Sequence, residues 1–196
     1  MLILEGADLV GKTTLAQTLL KTPWMSSQGY VYRHLSRLSE SFDRYGGHCM
    51  MAARLTVQDR FHMSDIVYHQ VRKEEQRFTP ETYRAVDGFL RGFGAYTVLI
   101  VCEDNDMLVR RLRDGEMYNP EQILHANHLY GQLVGLNEPY QDWSVDYDYV
   151  VWTSQAKPYA DDQDVINILA GYCERQRMVT NRVGPFSKYT NMYWRS

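Results

Sequence analysis

Apolar residues along the chain alternate between short continuous runs and stretches at helical spacing, the rhythm of strands and helices taking turns. Met1-Leu2-Ile3-Leu4 is a continuous run, and Thr14-Leu15-Ala16-Gln17-Thr18-Leu19-Leu20 places apolar residues at helical spacing until Thr22-Pro23 ends it. Tyr30 to Leu35 is a β-rich run after Gly29, with a mixed helical stretch to about Arg54. Leu55 to Gln58 reads as a buried strand ending in Asp59-Arg60. Thr79-Pro80 supplies an N-cap and a proline at the first helical position, and Tyr83, Val86, Leu90 and Phe93 mark the inner face of the helix that Gly92 and Gly94 close. Tyr96 to Cys102 is the clearest central strand, apolar and β-branched as a parallel sheet covered on both faces requires. Asp106 to Arg113 predicts a helix, and Asp114-Gly115-Glu116-Met117-Tyr118 a polar, glycine-broken connection. Asn119-Pro120-Glu121-Gln122 opens another helix, with Ile123, Tyr130, Leu133 and Val134 turned inward until Gly135. Tyr147 to Trp152 is a last strand, and Val165, Ile166, Leu169 and Tyr172 mark a last helix. The sum is an α/β fold with a parallel sheet of about five strands, its ligand at their carboxyl ends.

Composition narrows the class. A chain of 196 residues, 44% apolar, suits one globular domain. No apolar run approaches the roughly 20 residues of a membrane span, and the N-terminal run meets Glu5 and Asp8 too soon for a signal peptide, so no membrane partner and a cytoplasmic location are expected. Cys49, Cys102 and Cys173 lack paired spacing and read as packing residues. Charge is unevenly spread. Arg175, Arg177, Arg182, Lys188 and Arg195 sit in an end segment with no acid, leaving the first 174 residues at net −8. Phe186, Tyr189, Tyr193 and Trp194 interleave with those cations, as on surfaces that meet single-stranded nucleic acid; a solvated tail whose aromatics fold back is the plainer reading.

The chemistry starts at residues 6 to 13, Gly-Ala-Asp-Leu-Val-Gly-Lys-Thr, a G-x-x-x-x-G-K-T string between a strand and a helix. Such a loop wraps a polyphosphate in backbone N–H groups, which assigns Gly6, Ala7, Asp8, Leu9, Val10, Gly11, Lys12, Thr13 and Thr14 to ATP, with Lys12 on the β- and γ-phosphates and Thr13 on Mg²⁺. Phosphoryl transfer also needs a metal anchor, cations for the moving group and an acceptor site. Asp59, at the carboxyl end of a strand, is placed to orient Mg²⁺ or to take a proton from an acceptor hydroxyl, and Arg60 to clamp a phosphate. Arg110, Arg111 and Arg113 precede the glycine-broken segment, as in a lid that carries phosphate-stabilising arginines. His125 and His128 share a helix face without a third ligand and are set aside as a metal site. A guanine-specific switch would want Asn-Lys-x-Asp after a strand, and none is present.

With these residues in view, the chain resembles the thymidylate kinase family from residue 1 to about 175. Glu5-Gly6-Ala7-Asp8 with Gly11-Lys12-Thr13-Thr14 is similar to its phosphate loop, and Asp59-Arg60-Phe61 with Ser64 and Tyr68 to its Asp-Arg-Tyr and Ser-x-x-x-Tyr motifs. Leu108 to Arg113 resembles the helix that carries arginine into the lid, and Tyr130 matches a tyrosine on the next helix. The resemblance implies a P-loop nucleotide kinase-like fold over residues 1–176 with a small lid at about 113–120, and the charge pattern leaves 177–196 as a basic aromatic tail. It implies catalytic roles for Lys12, Asp59, Arg111 and Arg113, metal ligation by Thr13 and Asp59, and acceptor binding by Asp8, Arg33, Arg60, Ser64 and Tyr68. Two departures bear on the acceptor. Arg33-His34-Leu35-Ser36-Arg37 stands where family members place Arg-Glu-Pro-Gly-Gly to hold thymidine monophosphate, and Leu9-Val10 replaces small residues of the loop. Such changes resemble the phage kinases of that family that phosphorylate the hydroxymethyl group of 5-hydroxymethyluracil in DNA during thymidine hypermodification. The expected partners are therefore ATP, Mg²⁺ and a thymidine-type nucleotide, free or within DNA, with a homodimer left open and host cytoplasm as the location if phage-encoded. A monophosphate kinase making the diphosphate is the alternative, and a non-catalytic nucleotide-binding module the remote one.

Overall fold

A computed structural model of the chain describes residues 1–35, 55–135, 140, 142, 143, 145–154 and 163–183, with side chains through 175. The stretch expected to be helical before Arg54, Cys49, and residues 184–196 lie outside it. Among the described residues five strands, β1 (Leu2–Gly6), β2 (Val31–His34), β3 (Thr56–Asp59), β4 (Tyr96–Cys102) and β5 (Tyr149–Thr153), form one parallel sheet in the order β2-β3-β1-β4-β5. Parallel neighbours require crossovers, and seven helices among the described residues supply them or flank them: α1 (Lys12–Leu20), α2 (Pro23–Ser27), α3 (His62–Arg72), α4 (Pro80–Gly92), α5 (Asn105–Arg110), α6 (Pro120–Gly135) and α7 (Gln163–Val183). α1 packs on β1, β2 and β3 and meets α2 and α7, while α3 and α6 pack on each other and on β1. β1 is buried at every residue because it is central and covered on both faces. Leu2, Ile3, Leu4, Leu15, Leu19, Met63, Ile66 and Leu90 are fully buried, each contributing about 1.5–3 kcal/mol.

Most elements fall where the pattern puts them. Thr79 Oγ1 accepts from the Thr82 N–H at 3.3 Å and Pro80 occupies the first turn of α4. α5 is shorter than Asp106 to Arg113. Asp104 caps it by accepting from the Met107 N–H at 3.0 Å, and Arg111 ends it, so Arg111 and Arg113 lie in the turn beyond the helix. α7 continues through Val183, so the backbone of 177–183 belongs to that helix. Two helices were not legible, the short α2 and the eleven-residue α3. In α3 Met63, Ile66, Val67 and Val71 keep helical spacing, but eight side chains are buried, including the polar His62, Ser64 and His69, so its polar positions are not a solvent face. Its start is unmarked too, since the cap position Phe61 has no side-chain cap bond.

Candidate active site

The loop between β1 and α1 is shaped by backbone constraints. Gly6 has φ of +150° and packs so tightly on β4 that a Cβ there would overlap the Ile100 carbonyl oxygen. Gly11 caps α1 with φ of 96°, and no side chain takes the first N–H groups of the helix, the condition under which they receive an anion. Leu9 holds φ of 66°, a left-handed value that costs a non-glycine residue of order 1 kcal/mol or more, and its carbonyl accepts from Arg111 Nη1 at 2.9 Å. The loop and the arginine segment are thereby joined.

Lys12 is buried and folds back, donating to the Gly6 and Ala7 carbonyls at 2.9 and 2.6 Å. Burial, followed by the charge of Arg60, lowers its pKa to about 8 despite the nearby Asp59, Asp8 and Glu5. Asp59 Oδ2 accepts from Thr13 Oγ1 at 2.7 Å and from the Tyr32 hydroxyl at 2.8 Å, with His34 Nδ1 3.6 Å away. Oδ1 is buried with no hydrogen-bond partner, Lys12 Nζ standing 4.0 Å off. Burial pushes the Asp59 carboxyl up, but the charge of Lys12 and the bonds from Thr13 and Tyr32 bring it net below its ordinary value, so it stays ionised at neutral pH.

A second cluster lies beside the first. Asp8 is paired with Arg60, accepts from the Tyr68 hydroxyl at 2.9 Å, and donates its backbone N–H to the same oxygen at 3.0 Å. Arg60 sits at φ of 71° with its guanidinium 4.6 Å from the Tyr68 ring centroid. Burial works to raise the Asp8 carboxyl, and Arg60 and Lys12 outweigh it, leaving the pKa lowered. Beneath them Glu5, fully buried, accepts from the Phe61 and Met63 N–H groups at 2.8 and 3.1 Å and from Ser64 Oγ at 2.5 Å, while the Tyr130 hydroxyl donates to it at 3.3 Å. A carboxylate on β1 thus caps α3, where negative charge suits the helix dipole, and ties it to α6. Arg72 donates to Glu74 at 2.8 Å and to the Tyr118 hydroxyl at 2.9 Å, and Tyr118 packs 4.9 Å from the Tyr68 ring.

Two cavities open at the carboxyl ends of the strands. The larger, about 780 Å³, is lined by the whole stretch Asp8 to Thr14 with Asp59, Arg60, Arg110, Arg111, Arg113 and Thr153. The smaller, about 190 Å³, is lined by Leu35, Phe61, Ser64, Asp65, Tyr68, Arg72, Met117, Tyr118 and Ile123. Asp8, His34, Arg60 and Glu116 line both, so the cavities adjoin across these four residues. No protein-family model and no curated protein matches the chain. Among solved structures it is similar to the YorR protein of Bacillus subtilis, determined in complex with phosphorylated GDP, with TM-score 0.58 and 20% identity over 87% of this chain and 97% of that one.

The chain shares the α/β fold of that protein. Within this fold, Lys12, Thr13, Asp59, Arg111 and Arg113 line the larger cavity, Ser64 and Tyr68 the smaller, and Asp8 and Arg60 both. Arg33 lines neither. Strand alternation explains it: Tyr32 and His34 face Asp59, so Arg33 between them points to the other side of β2, paired in register with Gln58. Sequence reasoning gave no site role to Glu5, Tyr32, Asp65, Arg72 and Tyr118. Only Glu5 carried a local signal, a charge closing a buried strand. Among the described residues no group of three or more His, Cys, Asp or Glu could hold a metal ion, and no helix is long and apolar enough to cross a membrane.

Proposed function

We propose that the chain is an ATP-dependent phosphotransferase that uses the larger cavity for ATP and the smaller for a thymidine-type acceptor. The observation that carries this reading is the junction of the two cavities: a polyphosphate loop opens directly onto a second, aromatic-walled pocket, and Asp8, His34, Arg60 and Glu116 stand between them. On ATP binding Lys12 exchanges the Gly6 and Ala7 carbonyls for phosphate oxygens, and Arg111 and Arg113 bring charge to the transferred group. Thr13 and Asp59 are the residues to hold Mg²⁺, and the fit rests on the buried Asp59 Oδ1 that lacks a hydrogen-bond partner. Mg²⁺ would neutralise charge on the β- and γ-phosphates.

The acceptor we favour is the 5-hydroxymethyl group of 5-hydroxymethyl-deoxyuridine in DNA, as in thymidine hypermodification by phages. Phe61, Tyr68 and Tyr118 offer aromatic walls to one base turned out of its stack. Its hydroxyl oxygen would attack the γ-phosphorus, the bond to the ADP oxygen would break, and the hydroxyl proton would pass to a carboxylate. Asp8 lines both cavities whereas Asp59 lines only the donor cavity, which supports Asp8 for the proton and Asp59 for the metal. The test is labelled ATP with Mg²⁺, offered separately to thymidine monophosphate, other deoxynucleotides, plain DNA and 5-hydroxymethyluracil DNA. Label on 5-hydroxymethyluracil DNA alone supports the reading; label on thymidine monophosphate alone replaces it with a monophosphate kinase. ATP turnover indifferent to every acceptor leaves a nucleotide-binding module.

A further inference from the structure

The two cavities differ in charge. Lys12, Arg110, Arg111 and Arg113 face the larger one in addition to Arg60, against Asp8, Asp59 and Glu116, which suits a polyphosphate. The smaller one has Arg60 and Arg72 against Asp8, Asp65 and Glu116, and each arginine is already in an ion pair: Arg60 with Asp8 through Nη2, its Nε lacking a hydrogen-bond partner, and Arg72 with Glu74. Asp65 adds an independent observation. Its side chain is only 8% exposed, its Oδ2 has no hydrogen-bond partner, and it lines this cavity. His69 Nδ1 stands 3.5 Å from it but is committed to the Asp65 backbone carbonyl at 2.7 Å. A carboxylate on a cavity wall, with one buried oxygen that lacks a hydrogen-bond donor, opposes a ligand anion.

Glu116 is the remaining acid, carried by the glycine-broken segment after Arg113, exposed, and lining both cavities. We propose that the smaller cavity admits an uncharged acceptor and rejects a phosphomonoester, and that Glu116 is the residue that sets this selection at the junction. The inference rests on the two-cavity kinase reading and deepens it. An anionic acceptor would have to bring its phosphate past Glu116 and Asp8 to reach the γ-phosphate, with no unpaired cation among the described residues on the acceptor side to hold it. A hydroxyl has no such requirement. Exposure limits the effect, since a solvated charge acts across a high dielectric and is screened by salt.

Equilibrium binding tests this without depending on turnover. The intact chain, loaded with a non-hydrolysable ATP analogue and Mg²⁺, is titrated calorimetrically with 5-hydroxymethyl-2′-deoxyuridine and separately with thymidine monophosphate, for wild type, Glu116→Gln and Glu116→Lys. The wild type binds the nucleoside more tightly than the monophosphate. Glu116→Gln shifts the ratio toward the monophosphate about fivefold and Glu116→Lys about tenfold, and the shift shrinks between about 0.05 and 0.5 M salt. A purely structural role for Glu116 would weaken both ligands together and leave the ratio and its salt dependence unmoved. Monophosphate binding as tight as the nucleoside in wild type, or an unchanged ratio in both variants, overturns the proposal. If the binding order holds while no acceptor is ever phosphorylated, the charge selection stands and the kinase reading alone fails.

Discussion

The larger and smaller cavities, the proposed donor and acceptor sites, are built in opposite ways. Seven consecutive residues, Asp8 to Thr14, make most of the donor wall, and a second short stretch, Arg110 to Arg113, makes much of the rest. The acceptor cavity draws on Asp8, on His34 at the end of β2 and Leu35 after it, on α3, on 116–118 and on Ile123, segments that only the fold assembles. A polyphosphate is the same ligand in every such site, so one local string of glycines, a lysine and a hydroxyl suffices to hold it. An acceptor varies, and the walls that select it hang on long-range pairs such as Glu5 with Ser64 and Arg72 with Tyr118.

That contrast can be broken most severely on the donor side. Lys12→Ala removes the one lysine of the loop and is expected to lower phosphoryl transfer by several orders of magnitude for every acceptor, measured by label transfer, while circular dichroism stays that of a folded chain. Turnover like wild type in that variant sinks the donor assignment. Asp59→Asn is next, with a fall of about 10²–10⁴ in rate. Because Asp59 bonds Thr13 and lines only the donor cavity, the loss should come with a raised Mg²⁺ requirement and little change in acceptor KM; a variant with an unaltered Mg²⁺ titration returns Asp59 to the role of proton acceptor.

On the acceptor side the expected effects are smaller and less local. Glu5→Gln keeps the shape of the cap on α3 but weakens charge-assisted bonds to Phe61, Met63 and Ser64, costing about 1–3 kcal/mol in urea unfolding. Since α3 carries Ser64, Asp65, Tyr68 and Arg72 to the acceptor cavity, acceptor KM should rise more than ATP KM. Equal rises would mean that Glu5 serves the whole sheet instead of one wall. The smallest change is expected from deleting Asn181 to Ser196. If that basic, aromatic end follows a strand, KM for DNA rises and its dependence on log salt becomes shallower by about 0.7 for each phosphate the chain no longer neutralises, with KM for ATP constant. A truncated chain that handles DNA unchanged removes the tail from the acceptor side.

Legibility followed the same division. The loop, the apolar run of β4 and the Thr79-Pro80 start of α4 were plain in the residues, because each is a backbone requirement met by neighbours in sequence. The end of the helix expected to reach Arg113 was misplaced by three residues, since Arg111 closes it by turning toward the Leu9 carbonyl. Arg33 carried the right chemistry on the wrong face of its strand. A one-residue step reverses the side of a sheet, and motif spacing alone does not register that.

By itself the sequence determined the class of this protein: a parallel α/β sheet with a G-x-x-x-x-G-K-T loop at the end of its first strand, because those choices are made by period, propensity and consecutive residues. The tertiary structure decided where α3 starts, because its cap comes from Glu5, 56 residues away from Phe61. It also decided that both arginines of the acceptor cavity are already paired and that Asp65 is not hydrogen-bonded through Oδ2. Charge balance in a pocket is a property of what converges there, and convergence from several distant segments is not written at any one place in a chain.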